Sequence, residues 1–373
     1  MNSLNKTIMF DARIVLKNSE HGIARHVREL ITNILNIKEN DKFTFYILIN
    51  KNSPFLDLKF PKNFKLITLK YGVFSLLSQI ELFFVILKYK PDFYHSPQFI
   101  VPLLSNVSLI ATIHDMNHVA LPNNYAFYKK IYYNFFLKKK LLKSKSIITV
   151  SQFSKSEITK YIGTSENKIH VFYNGVFNNF KPLSEFSKEK INSVIFKYNL
   201  PQKYIFSIGN HKPHKNLAKL IESYCTGSFQ IPLVILTDSN DSLMEIVNQY
   251  NYKDKIQFIN FIHENDFPII YCLSKIFIYI SLYEGFGLPP IEAAACGIPT
   301  IVSNTTSLPE VMGSASIFVD PNNIDDIQRG IREALDEQNP NRKAYIENGF
   351  TLAKKYSWER MARETLQLYD SLQ

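Results

Sequence analysis

The sequence predicts an α/β protein made of two doubly wound parallel-sheet domains, and three observations carry that expectation. Short β-branched or aromatic runs alternate with longer helical patterns, the alternation occurs in two separate series, and a polar, proline-bounded stretch divides them. The 373 residues exceed one typical core of roughly 100–150 residues and fit two. Hydrophobic residues make up 46% and charged residues 20%, which supplies ample core and excludes a disordered chain.

The first series supplies the strand strings TIMFDAR, FTFYILI, KLITL, DFYHS, SLIATIHD, SIITVS and KIHVFY, with helical stretches over 23–35, 74–88, 125–143 and 153–162. β-branched strings alternating with helices are the rhythm of βαβ units. Residues 178–203, rich in Lys, Glu and Ser, read as a linker with room for a short helix. The second series supplies YIFSIG, PLVILT, KIQFI, KIFIYI, PTIVS and SIFVD, followed by helices over 341–355 and 357–372. Right-handed crossovers would make its sheet parallel too, although the strand order is not readable. The expected domains are 1–180 and 204–356, joined by a linker at 181–203, with a closing helix over 357–373.

Cys225, Cys272 and Cys296 are too scattered for a zinc or iron–sulfur spacing, and no disulfide is expected. Asp11 and Arg13 interrupt the apolar stretch Ile8-Met9-Phe10, so no secretory core is expected. The longest apolar run, 73–87, carries Gln79 and Glu81 and falls short of the roughly 20 residues of a bilayer crossing. The expected compartment is the cytoplasm, with any membrane contact peripheral. The net charge of +10 informs less than where the lysines cluster.

Open α/β sheets bind ligands beyond the carboxyl ends of their strands. The string KIFIYI runs into SLYEGFGLPPIEAAACG. Gly285 and Gly287 let backbone amides approach a ligand, and Leu288-Pro289-Pro290 opens a helix whose unpaired N–H groups suit a phosphate. Glu284 lies in the loop, and Glu292 lies on the helix with seven residues between them, in the apolar context of Ala293-Ala294-Ala295. A loop glutamate capping a helix and a second one on its surface would need no ligand. A buried Glu292 needs partners, and sugar hydroxyls are one kind.

This string resembles the E-x7-E signature of retaining GT-B glycosyltransferases, the group 1 or family four transferases that use nucleotide-sugar donors. The resemblance implies two Rossmann-like domains facing a central cleft, with the closing helix crossing back to the N-terminal domain. It implies that Glu284 contacts donor-sugar hydroxyls near the reacting carbon and that Glu292 holds the nucleotide ribose. The backbone at Gly285, Phe286, Gly287 and Leu288 would then meet the sugar and diphosphate.

YIFSIG ends in Gly209-Asn210-His211-Lys212-Pro213-His214-Lys215. By position Lys215 matches the family's phosphate lysine, while Asn210 and His214 stand where many relatives have arginines. That leaves His214, Lys212 or another residue to supply a second positive charge. Read alone, the loop is a solvated basic turn. SLIATI ends in His114-Asp115; the resemblance gives His114 the role of a histidine aimed at the donor sugar, with Asp115 orienting it or capping a turn. Glu20-His21-Gly22-Ile23-Ala24-Arg25 opens a helix, and the resemblance places Gly22 and Arg25 on the acceptor side. No Asp-x-Asp pair ends a strand; Asp238-Ser239-Asn240-Asp241 reads as a turn. The implied enzyme uses no metal and no cofactor.

Residues 125–145 carry seven lysines, no acid, and interleaved Tyr132, Tyr133, Phe135 and Phe136. Such a helix either packs its aromatics on the sheet with lysines in solvent or approaches anionic lipid. Together these features predict a hexosyltransferase with a nucleotide-sugar donor and a glycan or lipid-linked acceptor. A same-fold epimerase or glycogen-synthase-like polymerase is the close alternative. A nucleic-acid-binding protein is the distant one, suggested by charge alone and without a recognition motif, so no nucleic acid is expected as a partner.

Overall fold

The computed structural model describes residues 5–17, 22–238 and 241–372. The chain forms two compact units, Met1–Gly175 with Ser357–Gln373, and Val176–Tyr356. All thirteen expected strand strings form strands.

The first unit holds β1 (Lys6–Asp11), β2 (Phe43–Asn50), β3 (Phe64–Leu69), β4 (Phe93–Ser96), β5 (Ser108–Thr112), β6 (Ser146–Thr149) and β7 (Ile169–Val171). They make one sheet in the order β3-β2-β1-β4-β5-β6-β7, parallel throughout. Met9 sits opposite Tyr46 on one side and Tyr94 on the other, which sets the register. Parallel strands covered on both faces read as continuous apolar runs, and β4 and β6 are buried at every position.

One face of this sheet is covered by Leu82 and Ile86 of the helix Leu76–Tyr89, by Tyr133, Leu137 and Leu141, and by Ile158 and Ile162 of the helix Gln152–Ile162. The expected helix over 125–143 is not uniform. An α-helical turn, Phe127–Ile131, passes through a π-helical stretch, Tyr132–Leu137, into Lys138–Lys143. Tyr133, Leu137 and Leu141 recur every four residues, so they share one face, and that face packs on the sheet. The closing helix, Trp358–Ser371, belongs to this unit and packs against the helix Gly22–Leu35. Gly175 permits this, because a Cβ there would stand 2.1 Å from the Trp358 backbone nitrogen.

The second unit holds β8 (Ile205–Ile208), β9 (Leu233–Leu236), β10 (Ile256–Ile259), β11 (Ile276–Tyr279), β12 (Thr300–Ser303) and β13 (Ser316–Val319). Their parallel order is β10-β9-β8-β11-β12-β13. The order reverses direction between β8 and β11, which are paired neighbours. The loops after these two strands therefore lie side by side at the carboxyl edge, the topological switch point where open sheets bind ligands.

The segment expected as a linker is a fastened part of the second unit. Its helix, Lys188–Tyr198, is capped by the Ser187 hydroxyl and ends on Asn199 in the left-handed conformation. Lys190, Lys197 and the Tyr198 hydroxyl donate to the buried Asp266 carboxylate at 2.6, 2.8 and 2.9 Å. Polar residues that read as solvated thus converge on one carboxylate. Among the described residues no helix is long and apolar enough to cross a membrane.

Candidate active site

The loop after β8 turns at Gly209, whose missing side chain makes room for Leu217; a Cβ would stand 2.9 Å from Leu217 Cδ2. Asn210 is exposed and its side-chain oxygen accepts from the Lys212 amide at 3.1 Å. Asn216 takes the left-handed conformation and its side-chain nitrogen donates to the Ile280 carbonyl, at 3.2 Å, and the Pro321 carbonyl, at 2.7 Å. The Leu282 amide donates to the His214 carbonyl at 2.7 Å. These bonds bind the loop after β8 to the loop after β11.

At that junction three side chains close a ring. The Lys215 ammonium donates to Glu284 Oε1 at 2.6 Å and to the Tyr279 hydroxyl at 2.9 Å, and Tyr279 in turn donates to Glu284 Oε1 at 2.8 Å. Burial would raise the Glu284 carboxyl, but the adjacent ammonium outweighs it and holds the group below the usual carboxylate range. For Lys215 burial opposes the charge and Glu284 overrides it, so the ammonium is held above its ordinary value. Burial and Glu284 together push the Tyr279 phenol up. All three keep their neutral-pH forms: carboxylate, ammonium and phenol. An ammonium has three donors, and two are committed within the ring.

Around the ring the backbone is fixed from outside. The Ser307 hydroxyl donates to the carbonyls of Glu284 and Phe286 at 3.0 and 3.2 Å, and the Glu284 amide donates to Thr306 Oγ1 at 3.3 Å. The ring of Phe286 packs edge-on against Tyr356. Gly285 continues this loop, and Gly287, at φ +95°, turns it into the helix Leu288–Ala295. A Cβ on Gly287 would stand 2.5 Å from Leu308 Cδ2. Glu292 on this helix is buried, and Tyr271 O–H donates to its Oε2 at 3.2 Å. Its buried carboxylate thus has a protein partner already.

His214 is buried, and burial, aided by Lys215, lowers its pKa to about 4. Burial and the neighbouring ammonium thus both disfavour a charge on His214. Lys212 is exposed in the same loop.

In the first unit, His114 follows β5, and its Nε2–H donates to the Pro97 carbonyl at 3.1 Å. Its ring meets His26 edge to face, with centroids 4.6 Å apart. His26 is buried with Nδ1 2.8 Å from Asn174 Oδ1, and burial lowers its pKa to about 4. Asp115 caps the following turn, accepting from the Asn117 amide at 2.9 Å. Gly22 begins the helix Gly22–Leu35 in open space, and Arg25 is half-buried on it. Glu20, His21, Ser239 and Asn240 lie outside the described residues. Asp11 and Arg13, which the sequence offered only as interruptions of an apolar stretch, form a buried ion pair at 2.7 Å joined by the Tyr94 hydroxyl.

Sequence reasoning missed Tyr279, Thr306, Asn216 and Tyr271. Tyr279 ends an apolar strand string and reads as core there. Its place just before a polar loop was the available signal.

Two parallel doubly wound units, with a charged loop junction at the switch point of the second, define the GT-B class of glycosyltransferase fold. Residues 189–352 match the model of "Glycosyl transferases group 1", and residues 21–177 match "Glycosyltransferase Family 4". The chain is 31% identical over 292 residues to the O-antigen chain mannosyltransferase B of Escherichia coli, covering 76% of this chain and 75% of that one. The chain belongs to the group 1 glycosyltransferases. In fold it is similar to the sucrose-phosphate synthase of Thermosynechococcus elongatus, with TM-score 0.78, 18% identity and 98% of each chain covered. It is also similar to Anabaena HepE, solved in complex with UDP and glucose, with TM-score 0.74, 16% identity, and 98% of this chain and 100% of that one covered.

Proposed function

We propose that this chain transfers a hexose from a nucleotide diphosphate sugar to a glycan or lipid-linked acceptor, with the anomeric configuration retained and without a divalent cation. The single observation that carries this reading is the Lys215–Tyr279–Glu284 ring at the switch point of the second sheet. Mannose as the sugar and an O-antigen-type glycan as the acceptor are supported by the name of the Escherichia coli relative. UDP in the HepE structure supports a nucleotide-linked donor.

Lys215 has a third N–H for a diphosphate oxygen, and Glu284 and Tyr279 keep the ammonium charged and in place. The amides of Gly285, Phe286, Gly287 and Leu288 add donors for the same group, while Pro289 and Pro290 bring no N–H to it. Glu292 takes the ribose hydroxyls. In the transfer the acceptor oxygen bonds to the anomeric carbon, the bond from that carbon to the diphosphate breaks, and the acceptor proton passes to the departing phosphate oxygen. Glu284 binds sugar hydroxyls as charge develops at the carbon. His114 is assigned a sugar hydroxyl as well; His114→Phe tests it separately, with loss of turnover and unchanged nucleotide affinity expected. The acceptor side is assigned to Gly22 and Arg25.

A panel of nucleotide sugars assayed for nucleotide release, with and without lipid-linked acceptor, tests the reading. Retention predicts an α-linkage from an α-linked donor in the NMR spectrum of the early product, and a β-linkage would overturn it. Activity that EDTA removes and Mg2+ restores would overturn the metal-free account.

A further inference from the structure

Two neighbouring helices of the first unit present apolar side chains to solvent. On the helix Leu76–Tyr89, Ser78, Leu82 and Ile86 face inward, while Leu77, Ile80, Phe84 and Leu87 form an outer stripe, each at least half exposed. Helices on a soluble domain normally place charge on such a face. This helix carries only Glu81 and Lys88, and the Glu81 carboxylate is turned to the amides of Lys70 and Tyr71 at 2.8 and 3.1 Å. The segment 127–143 repeats the pattern. Its inward residues reach the sheet, while Phe127, Phe135 and Phe136 stand 75%, 69% and 51% exposed.

Both helices cover the same side of the sheet, and the loop between β4 and β5 ties them together. Gln79 donates to the Val101 carbonyl at 3.3 Å and accepts from the Leu103 amide at 2.9 Å. Tyr132 donates to the Phe99 carbonyl at 2.9 Å and accepts from the Val101 amide at 3.3 Å. Leu104 in that loop is itself 56% exposed. Most of the large apolar side chains that stand exposed among the described residues fall on these two helices and this loop. Such a concentration of exposed apolar side chains on two helices and one loop exceeds the scattered exposure usual for a monomer.

We propose that this two-helix face docks on an anionic bilayer, with its aromatic and leucine side chains at the acyl boundary and its lysines among the headgroups. Charge complementarity selects the occupant: residues 125–145 carry seven lysines and no acid. Lys138 and Lys140 are tied to the carbonyls of Tyr161 and Ser105 at 3.0 and 2.6 Å. Lys139, Lys143 and Lys145 are exposed and carry the attraction. The benefit to catalysis rests on the lipid-linked acceptor proposed above; the docking itself does not.

Co-sedimentation with vesicles of phosphatidylcholine, alone or mixed with phosphatidylglycerol, tests the proposal at low and high salt. No donor or acceptor is present, so a wrong donor assignment leaves the outcome intact. The full chain is expected to bind the mixed vesicles and to weaken as salt rises. Phe84→Ser and Phe135→Ser, both at exposed positions, should each lower the binding constant about tenfold. Lys139→Glu with Lys143→Glu and Lys145→Glu should remove the preference for phosphatidylglycerol. Circular dichroism checks that each variant is folded. Failure of the wild type to sediment at either salt, or Phe84→Ser binding like wild type, overturns the proposal. So does a wild-type dimer that the phenylalanine substitutions dissociate, because the face would then be a protein interface.

Discussion

The carboxylate of Glu284 and the ammonium of Lys215 stabilise each other only while both are charged, which fixes the pH range over which the pair acts. Glu284 titrates below its unfolded value of about 4.3. Its contribution is therefore present above that pH and is lost as the pH falls through the folded pKa. Lys215 is raised above its unfolded value of about 10.4, so its contribution is present below that pH and lost only in strong alkali. The difference in melting temperature between wild type and Glu284→Gln should be flat across neutral pH and shrink below about pH 4. A difference that persists undiminished in acid would refute the ion pair's role. Glu284→Gln keeps the shape and removes the charge, so turnover should fall by at least about hundredfold, with nucleoside diphosphate affinity less affected. Lys215→Met removes the cation and leaves the Glu284 carboxylate buried with only neutral hydroxyl partners. It should cost about 3 kcal/mol of stability, read by urea unfolding, and added Mg2+ should not rescue its activity.

Among the elements, glycines separate positions that the backbone demands from positions it merely tolerates. Gly287 combines φ +95° with a Cβ path blocked by Leu308 at 2.5 Å. Gly287→Ala should destabilise the loop by about 1–3 kcal/mol, and pairing it with Leu308→Ala should not restore stability, because the double variant keeps the strained backbone and gains a cavity. Gly175→Ala drives a Cβ into the Trp358 backbone and should be more damaging than Gly22→Ala, which meets nothing within 4 Å. Equal melting temperatures for Gly175→Ala and Gly22→Ala would disprove the close approach. What was legible in the sequence follows the same division. Every strand string was readable, because strands buried on both faces must be apolar runs. The Glu284 loop was readable because its glycines, prolines and glutamates share one short string. The π-helical stretch at Tyr132–Leu137 was not, because four-residue spacing of Tyr133, Leu137 and Leu141 is compatible with an ordinary helix until the sheet beneath it is known. Nor was the clamp on Asp266, whose three donors lie some seventy residues away in sequence. Tyr279 escaped for the same reason: its hydroxyl finds its partners through the packing of β8 beside β11, an order that no local pattern encodes.

Across the whole molecule, buried neutral histidines set the response to acid, and they are unequally shared between the units. His26 and His95 lie in the first unit and His214 in the second. Burial lowers them to about 4, about 3 and about 4 respectively. In the unfolded chain each titrates near about 6.5, so between these values the unfolded state binds more protons and stability falls as the pH drops. His95 is the most tightly held, with its two ring nitrogens bonded to Tyr369 and Thr112 on opposite sides. The first unit, which charges two such groups on unfolding, should lose stability more steeply below about pH 6.5 than the second, which charges one. Trp358, the single tryptophan, lies in the first unit with its ring centroid 6.2 Å from that of His26, so its emission reports the surroundings of that histidine. Far-ultraviolet circular dichroism reports helices of both units. An acid titration followed by both signals should show the tryptophan transition at the higher pH, and His26→Phe should move that transition to lower pH by removing one of the protons taken up. Coincident transitions in the wild type, unmoved in the variant, would mean that other groups control acid unfolding.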